Sequence, residues 1–314
     1  MFEINRYTPD SFNQWNEFIS AAKNSVFLFN RNYMDYHQDR FNDHSLLISK
    51  SGKLVAVLPA HEKEKEIFSH AGLSFGGLVM SKSIRAEEVL EIFSAIKKYY
   101  GEQGFTDLQY KVVPHIFHDY PAEEDLYALF RNDAVLSRRD IASILPIKEP
   151  MRFSETKRQM VSKCQKAGVL VSESKNFAEY WQLLESVLTR FNAKPVHTID
   201  EISLLHERFP KEIRLFEARL EGRLLAGLVI YDYNRVVHTQ YMANSDEGRK
   251  LGALDFINHE LINGEYASRD YYSFGTSNEE AGRVLNTGLI LQKEMMGGRG
   301  IVYDVYKMNL NAKT

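Results

Sequence analysis

The sequence of 314 residues has little cysteine, proline or glycine: it contains one Cys, 8 Pro and 18 Gly. The single Cys164 cannot form a disulfide within the chain, which favours a reducing compartment, and we expect a cytoplasmic protein. With 12% aromatic residues, the composition excludes a disordered or collagen-like chain because bulky side chains can offset the entropy of ordering. No apolar run reaches the roughly 20 residues that a spanning helix needs, so we expect no transmembrane segment.

The chain also has no large excess of charge of either sign. Its 39 Lys and Arg residues against 42 Asp and Glu residues give a formal net charge of -3. Proteins that bind nucleic acid through the phosphate backbone usually present an excess of positive charge. The composition therefore argues against both DNA and tRNA as partners.

Two stretches about 170 residues apart predict the same order of elements. Each begins with a hairpin closed by a glycine turn, at Gly52 and at Gly222, and continues with strand, helix, strand, helix and strand. The first helix is predicted near 84–100 because apolar residues recur there with helical period: Val89, Phe93, Ile96 and Tyr100. This order predicts an α+β fold of two tandem domains, 1–148 and 149–314, each a mixed, mostly antiparallel sheet flanked by helices.

Three helices are predicted where the second domain begins. One spans 154–168 and ends at Gly168, and another spans 177–192, where apolar residues recur at spacings of three and four. Thr198 with Glu201 three positions later is the signature of a capping box, which predicts a third helix.

The segment 249–254, Arg-Lys-Leu-Gly-Ala-Leu, lies between a predicted strand and a predicted helix. A glycine-containing loop at that place is expected to expose unpaired backbone N–H groups at a helix N-terminus, an arrangement that binds a diphosphate. The alternative is a solvated basic loop, and Asp255 favours it because a carboxylate just inside the helix competes with an anion. The candidate anion-binding residues are Arg249, Lys250, Gly252 and Ala253.

This order of elements, with its Arg-x-x-Gly-x loop, resembles that of the GNAT acyltransferases. Three stretches resemble the Fem-like branch, which has two GNAT-like domains in one chain: 156–169, 272–278 and 285–298. The resemblance is best over about 150–305, and the first half matches by layout. It implies two tandem GNAT-like domains and an N- or O-acyltransferase that uses acetyl-CoA or another acyl-CoA as donor, with the diphosphate on the loop around Gly252.

The resemblance also implies that Lys293 holds an acceptor phosphate or a developing oxyanion. Asn286 lies seven residues earlier, so both side chains share one helical face, and we group Asn286 with the residues that bind the donor. Glu279 can take a proton from an incoming amine or hydroxyl. The alternatives are structural, since amphipathic helices carry Lys on their wet side and helix starts favour acidic residues.

His238 and Tyr241 lie on the predicted strand before the loop, where GNAT proteins present backbone amides to the thioester carbonyl. Being three residues apart, they face opposite sides of a regular strand, and only one can face a cleft unless a bulge intervenes. His238 suits a general base, although a strand histidine is more often a hydrogen-bonded structural residue. Small polar residues over 272–278 follow at the carboxyl end of a strand predicted to be parallel to its neighbour, where a crevice can open.

The first half carries two unusual segments, 31–40 with aromatic residues and both charge signs, and the glycine-rich 69–77. No metal is predicted, because four of its histidines lack both the spacing and the cysteine partners of a metal site: His37, His44, His61 and His70. The absence of a G-x-S-x-G motif argues against a serine hydrolase. We interpret the first domain as acceptor-binding or structural.

These observations leave three hypotheses. The first is an acyl-CoA-dependent acyltransferase that acts on an amine or hydroxyl of a small or sugar-linked, cell-envelope-related acceptor, without a covalent enzyme intermediate. The second is an aminoacyl-tRNA-dependent aminoacyltransferase of a cell-wall precursor, with tRNA on a basic cluster formed by Lys157, Arg158, Lys163 and Lys166. The third is a non-catalytic binding protein of the same fold. The sequence does not indicate the oligomeric state.

Overall fold

The computed structural model of the protein describes residues 2–311. Its strands are β1 (Phe2–Arg6), β2 (Asn42–Asp43), β3 (Leu46–Lys50), β4 (Lys53–Leu58), β5 (His61–Lys63), β6 (Glu66–Phe68), β7 (Val79–Met80), β8 (Asp107–Lys111), β9 (Val135–Pro146), β10 (Leu170–Ser174), β11 (Ile213–Leu220), β12 (Arg223–Asp232), β13 (Val236–Asn244), β14 (Tyr271–Thr276), β15 (Asn278–Glu279), β16 (Val284–Leu285) and β17 (Arg299–Asn309). Its α-helices are α1 (Phe12–Ala21), α2 (Arg31–Met34), α3 (Ala86–Glu102), α4 (Glu124–Arg131), α5 (Glu155–Lys166), α6 (Phe177–Thr189), α7 (Ile199–Arg208), α8 (Asp246–Leu251), α9 (Ala253–Asn263) and α10 (Thr287–Met295).

The chain divides into two compact units, Met1–Asp140 with Val302–Thr314, and Ile141–Ile301. The first unit contains an antiparallel sheet with strand order β1-β3-β4-β7 and a run of paired strands in the order β17-β8-β6-β5-β2, in which β6 and β8 are parallel. Its core includes the four residues of α3 that the helical period singles out: Val89, Phe93, Ile96 and Tyr100. The predicted buried face of this helix is therefore confirmed.

The second unit has the strand order β10-β11-β12-β13-β14-β9, and only β13 and β14 run parallel among its neighbouring pairs. Helices α5 and α9 pack on one face, where Cys164 and Ile257 share a core with Ile230 of β12. Helix α6 covers the other face, since a Cβ added at Gly227 would lie 2.3 Å from the Tyr180 ring. The mixed, mostly antiparallel α+β architecture is confirmed.

The last strand differs from the predicted domain limits of 1–148 and 149–314. From Val302 onward the chain belongs to the first unit, where Val305 to Asn309 of β17 pair with Lys111 to Asp107 of β8. The boundary near 148 is also displaced, because β9 continues without interruption across Asp140 and Ile141. Hydrophobic alternation predicts that these strands exist, but it does not determine which sheet supplies their hydrogen-bonding partners.

Several predicted elements are shorter than expected. The strand expected over about 70–80 is limited to Val79–Met80, and the helix expected over 283–296 begins at Thr287 after the hairpin of β15 and β16. The capping box of Thr198 and Glu201 is present at the start of α7. Within residues 2–311, none of the helices is long and apolar enough to cross a membrane.

Candidate functional site

The parallel strands β13 and β14 separate after a short paired stretch. Their register consists of Val236 opposite Tyr271, Val237 opposite Tyr272 and His238 opposite Ser273, all at the amino ends of the strands. Beyond this point β13 continues with β12 and β14 continues with β9. The carboxyl ends of the two strands therefore enclose an opening in the sheet, the place where α/β proteins commonly bind ligands.

His238 and Tyr241 both project from the same face of β13. The register with β12 pairs His238 with Tyr231 and Tyr241 with Val229, and it shifts by one residue in between, at Gln240. Opposite residues on neighbouring strands share a face, and Tyr231 and Val229 are two residues apart. In a regular strand, His238 and Tyr241 would face opposite sides of the sheet. Here the bulge at Gln240 brings both side chains to one side.

His238 lies beside the start of the opening. Its Nδ1 is 3.1 Å from Ser273 Oγ, and Ser273 Oγ also accepts a hydrogen bond from the Gly275 amide at 3.3 Å. Gly275 has a φ of +72° and its Cα faces the imidazole: an added Cβ would lie 3.1 Å from His238 Cε1. Burial, reinforced by the charge of Lys293, lowers the pKa of His238 to about 4. The imidazole is therefore neutral at pH 7 and is a weak base.

Lys293 is buried next to the same strand end. Its side chain comes from α10 and is 3% exposed, and its Nζ donates to the carbonyl oxygens of Gly275 at 3.0 Å and Thr276 at 2.6 Å. Burial lowers the pKa of Lys293 to about 8. Two of the three ammonium N–H bonds are used by these carbonyls, which leaves one donor for a ligand. Lys293 is therefore not a solvated lysine on the wet side of an amphipathic helix, because its side chain is enclosed.

Asn286 and Glu279 flank this segment as a bonded pair. Asn286 caps α10 by accepting the Leu289 amide at 2.9 Å, and its amide group donates to the Glu279 carboxylate at 2.7 Å. The Asn286 backbone N–H donates to Ser277 O at 2.9 Å. The spacing of seven predicts that Asn286 lies on the same helical face as Lys293. In the structure Asn286 instead precedes the first turn of α10 and caps it. Glu279 is exposed.

The predicted diphosphate loop is helical in the structure. Residues 246–251 form α8, in which Arg249 N donates to Ser245 O and Gly252 N donates to Gly248 O, each at 2.8 Å. Arg249 pairs with Asp246, and the Lys250 carbonyl accepts from Lys163 Nζ at 2.7 Å. These backbone groups are therefore not bare, contrary to the expectation for this loop.

Helix α5 also fills the space in front of Gly252. Gly252 has a φ of +82°, and an added Cβ would lie 2.7 Å from Met160 Cβ. Ala253 is fully buried, and Lys157 forms an ion pair with Asp255 at 2.6 Å across the start of α9. The sequence could not show this, because α5 lies about 90 residues earlier. The structure thus does not show Arg249, Lys250, Gly252 and Ala253 as a cradle of bare amides, and their part in binding a diphosphate stays a prediction.

Part of the second unit is similar to a known protein family. Residues 152–283 match the model of the GNAT acetyltransferase domain. These residues are similar to a GNAT domain. The match includes β13 and β14 and ends before Lys293 and Asn286. A search of curated proteins gave no significant match.

Solved structures share the fold of the chain around this GNAT domain. FemX matches with a TM-score of 0.70 and 12% identity over 98% of each chain. L-PGS from Bacillus licheniformis matches with a TM-score of 0.63 and 10% identity, over 98% of this chain and 94% of its own. A tandem GNAT protein from the clavulanic acid biosynthesis pathway matches with a TM-score of 0.53 and 9% identity, over 100% of each chain. The chain therefore has a Fem-like double-GNAT fold; at these identities the likeness concerns the fold alone.

His197 contacts the GNAT site but is absent from the sequence-based candidates. It lies between α6 and α7, and its Nδ1 is 2.6 Å from the Tyr241 hydroxyl, which also receives the His197 backbone N–H at 3.3 Å. Burial raises the pKa of Tyr241 to about 12, so the phenol stays protonated. A histidine in a connecting segment has no periodic neighbours, so no pattern in the sequence indicates its contact with β13.

No metal-binding group emerges from the part of the chain that the structure describes. Among residues 2–311, no three His, Cys, Asp or Glu side chains cluster in a way that could hold a metal ion.

The basic cluster considered for tRNA is largely paired within the protein: Lys157 with Asp255, Arg158 with Glu155 and Lys163 with the Lys250 carbonyl.

Proposed function

We propose that the protein is an acyltransferase that moves an acyl group from an activated donor to an amine or hydroxyl at the opening between β13 and β14. The observation that carries this proposal is the convergence of neutral His238 and buried Lys293 at the point where the paired strands separate. The GNAT match over the same strands supports it.

The proposed reaction is direct attack of the acceptor on the donor carbonyl. The carbonyl lies in the opening, where the remaining Lys293 N–H stabilises the oxyanion. His238, neutral and bonded to Ser273, relays the proton that the nucleophile loses, and its low pKa suits a relay better than a strong base. The tetrahedral intermediate then breaks its bond to the donor's thiol or alcohol group, which leaves with that proton. Glu279 remains a proposed proton acceptor at the rim.

For the donor we propose an acyl-CoA, with acetyl-CoA as the first candidate. Because α5 fills the space at Gly252, the thioester and its pantetheine arm would be held by the separated edges of β13 and β14, and the diphosphate would lie away from the loop. The filled loop also favours a second candidate donor that has no diphosphate, an aminoacyl ester of tRNA. The acceptor is proposed to be a small or sugar-linked amine or hydroxyl.

A direct test offers both donors with hydroxylamine as a small nucleophile. Release of the CoA thiol from acetyl-CoA above the enzyme-free rate, together with a rise in the melting temperature, would support the first donor; a ligand at 100 times its Kd stabilises by about 2.7 kcal/mol. Faster deacylation of aminoacyl-tRNA would support the second. Turnover of neither donor, at protein concentrations where both Kd values are exceeded, would reject acyl transfer and favour a binding protein of the same fold.

A further inference from the structure

A cavity of about 310 Å³ opens in the first unit, and none of the residues assigned to acyl transfer lines it. Its lining includes the aromatic rings of Tyr7, Phe12 and Phe41, and its polar residues come mainly from α2 and the segment that follows it: Arg31, Asp35, His37, Gln38, Asp43 and His70. A volume near 300 Å³ is at the lower end for sites that bind small organic molecules.

Arg31 is sealed beneath this cavity. Its side chain is 1% exposed, and its Cζ lies 3.4 Å from the centre of the Tyr7 ring and 4.3 Å from that of the Trp15 ring. Within residues 2–311, its Nε and Nη2 have no hydrogen-bond acceptor, and only Nη1 reaches carboxylates, at 2.5 Å to Asp43 and 3.4 Å to Asp35. The positive charge is therefore largely covered by these two rings.

The carboxylates are accessible where the guanidinium is not. The side chains of Asp35 and Asp43 are each 33% exposed, so two negative charges face the cavity while the single positive charge lies behind them. Asp43 is fixed in place because it also accepts hydrogen bonds from the amide of Ser45 at 2.9 Å and its hydroxyl at 3.1 Å. Within the lining, two carboxylates therefore stand beside one guanidinium.

One of the two histidines in the lining, His70, does not offset this charge. His70 is 3% exposed, and burial lowers its pKa well below the usual value, so its ring is neutral at pH 7. Its Nδ1 is buried and has no hydrogen-bond partner among residues 2–311. An unsatisfied buried nitrogen costs free energy unless a ligand supplies the missing bond. His70 also has a φ of +66°, a strained backbone conformation of the kind that concentrates at ligand sites.

We propose that this cavity binds a small organic cation, a primary ammonium group on an apolar or aromatic body. The ammonium would donate to the exposed carboxylates of Asp35 and Asp43, and the apolar body would pack on Tyr7, Phe12 and Phe41, whose ring faces also attract a cation. The inference is independent of the acyl transfer proposed above, because the test uses no acyl donor.

The probe set consists of three ligands of similar shape: phenethylamine, the neutral 2-phenylethanol and the anionic 3-phenylpropionate. Calorimetry with the full chain should show phenethylamine binding at least about tenfold more tightly than the other two, since only the cation gains from the carboxylates. Equal affinity for amine and alcohol, a preference for the carboxylate, or no binding of the amine at millimolar concentration would each overturn the proposal.

Substitutions in the lining test the charge of the site. Asp35→Asn should weaken phenethylamine about fivefold by removing one charge, while Asp39→Asn, the same change on an exposed residue outside the lining, should leave the affinity unchanged. Gln38 is exposed and lines the cavity, so Gln38→Lys should weaken the amine and Gln38→Glu should strengthen it. The Gln38 pair keeps the test decisive if Asp35→Asn unfolds, and insensitivity to both Gln38 changes would refute the site.

Discussion

His238 and Tyr241 share one face of β13 although they are three residues apart, because the strand carries an extra residue at Gln240 in its register with β12. The bulge directs His238 towards Ser273 and Tyr241 towards His197 on the same side of the sheet. A bulge next to a separating strand pair positions side chains that a regular strand would send to opposite faces.

Lys293→Met should lower the turnover of acetyl-CoA with hydroxylamine by about a hundredfold, because the buried ammonium lies against the end of β14. Since the pKa of Lys293 is about 8, the ratio of wild-type to Lys293→Met rates should fall as the pH rises through 8. Lys293→Arg keeps its charge and should show no such fall. A ratio of one at every pH would remove Lys293 from the reaction.

Lys293 should also make the free energy of unfolding depend on pH above about 8. Its pKa is lowered in the folded state relative to 10.5, so between pH 8 and 10.5 the unfolded chain binds the additional proton and stability rises with pH. In Lys293→Met that contribution should be absent. Chemical unfolding of both proteins at pH 7.5 and 9.5 measures the difference, and parallel pH dependences would contradict the lowered pKa.

His238 should contribute to unfolding in acid. Its folded-state pKa of about 4 lies below the unfolded value of 6.5, so as the pH falls from 6.5 towards 4 the unfolded chain takes up the proton first and stability is lost. His238→Asn should therefore retain about 2 kcal/mol that the wild type loses between pH 6.5 and 4.5, at about 1.4 kcal/mol per unit. His115→Gln, on an exposed histidine, serves as the control.

The filled loop at Gly252 predicts two separate outcomes. Arg249→Ala should leave the Kd for acetyl-CoA within about twofold, because that side chain is paired with Asp246. Gly252→Ala should cost about 2 kcal/mol of stability, because the new Cβ meets Met160 at a φ of +82°. Calorimetric titration and denaturant unfolding provide the measurements. A tenfold loss of acetyl-CoA affinity in Arg249→Ala would restore the loop as the donor site.

Tyr241→Phe should loosen the connection between α6 and α7. The change removes the hydroxyl that meets His197 Nδ1 at 2.6 Å, at a cost of about 1–2 kcal/mol. Trypsin should then cut faster after the exposed Arg190 in the same segment, as measured by mass spectrometry of the fragments. Tyr120→Phe, at a tyrosine that is 62% exposed, should change neither quantity. Unchanged cleavage in Tyr241→Phe would show that the contact does not fix the segment.

Much of the fold could be predicted because local pattern reports which face of an element is buried. The stripe of Val89, Phe93, Ile96 and Tyr100 identified α3, and Thr198 with Glu201 identified the start of α7. Lys293 was found through a family resemblance, whereas its enclosure by the carbonyls of Gly275 and Thr276 depends on how α10 lies against β14.

The sequence by itself determined the α+β class and much of the order of helices and strands from Leu46 onward, since hydrophobic period and turn residues act over a few neighbouring positions. Only the tertiary structure decided that Met160 occupies the space before Gly252, that β17 pairs with β8, and that Gln240 forms a bulge. Each of these depends on contacts between residues far apart in the chain. Local sequence pattern does not distinguish one strand partner or packing partner from another, whereas side-chain packing and backbone hydrogen bonding do.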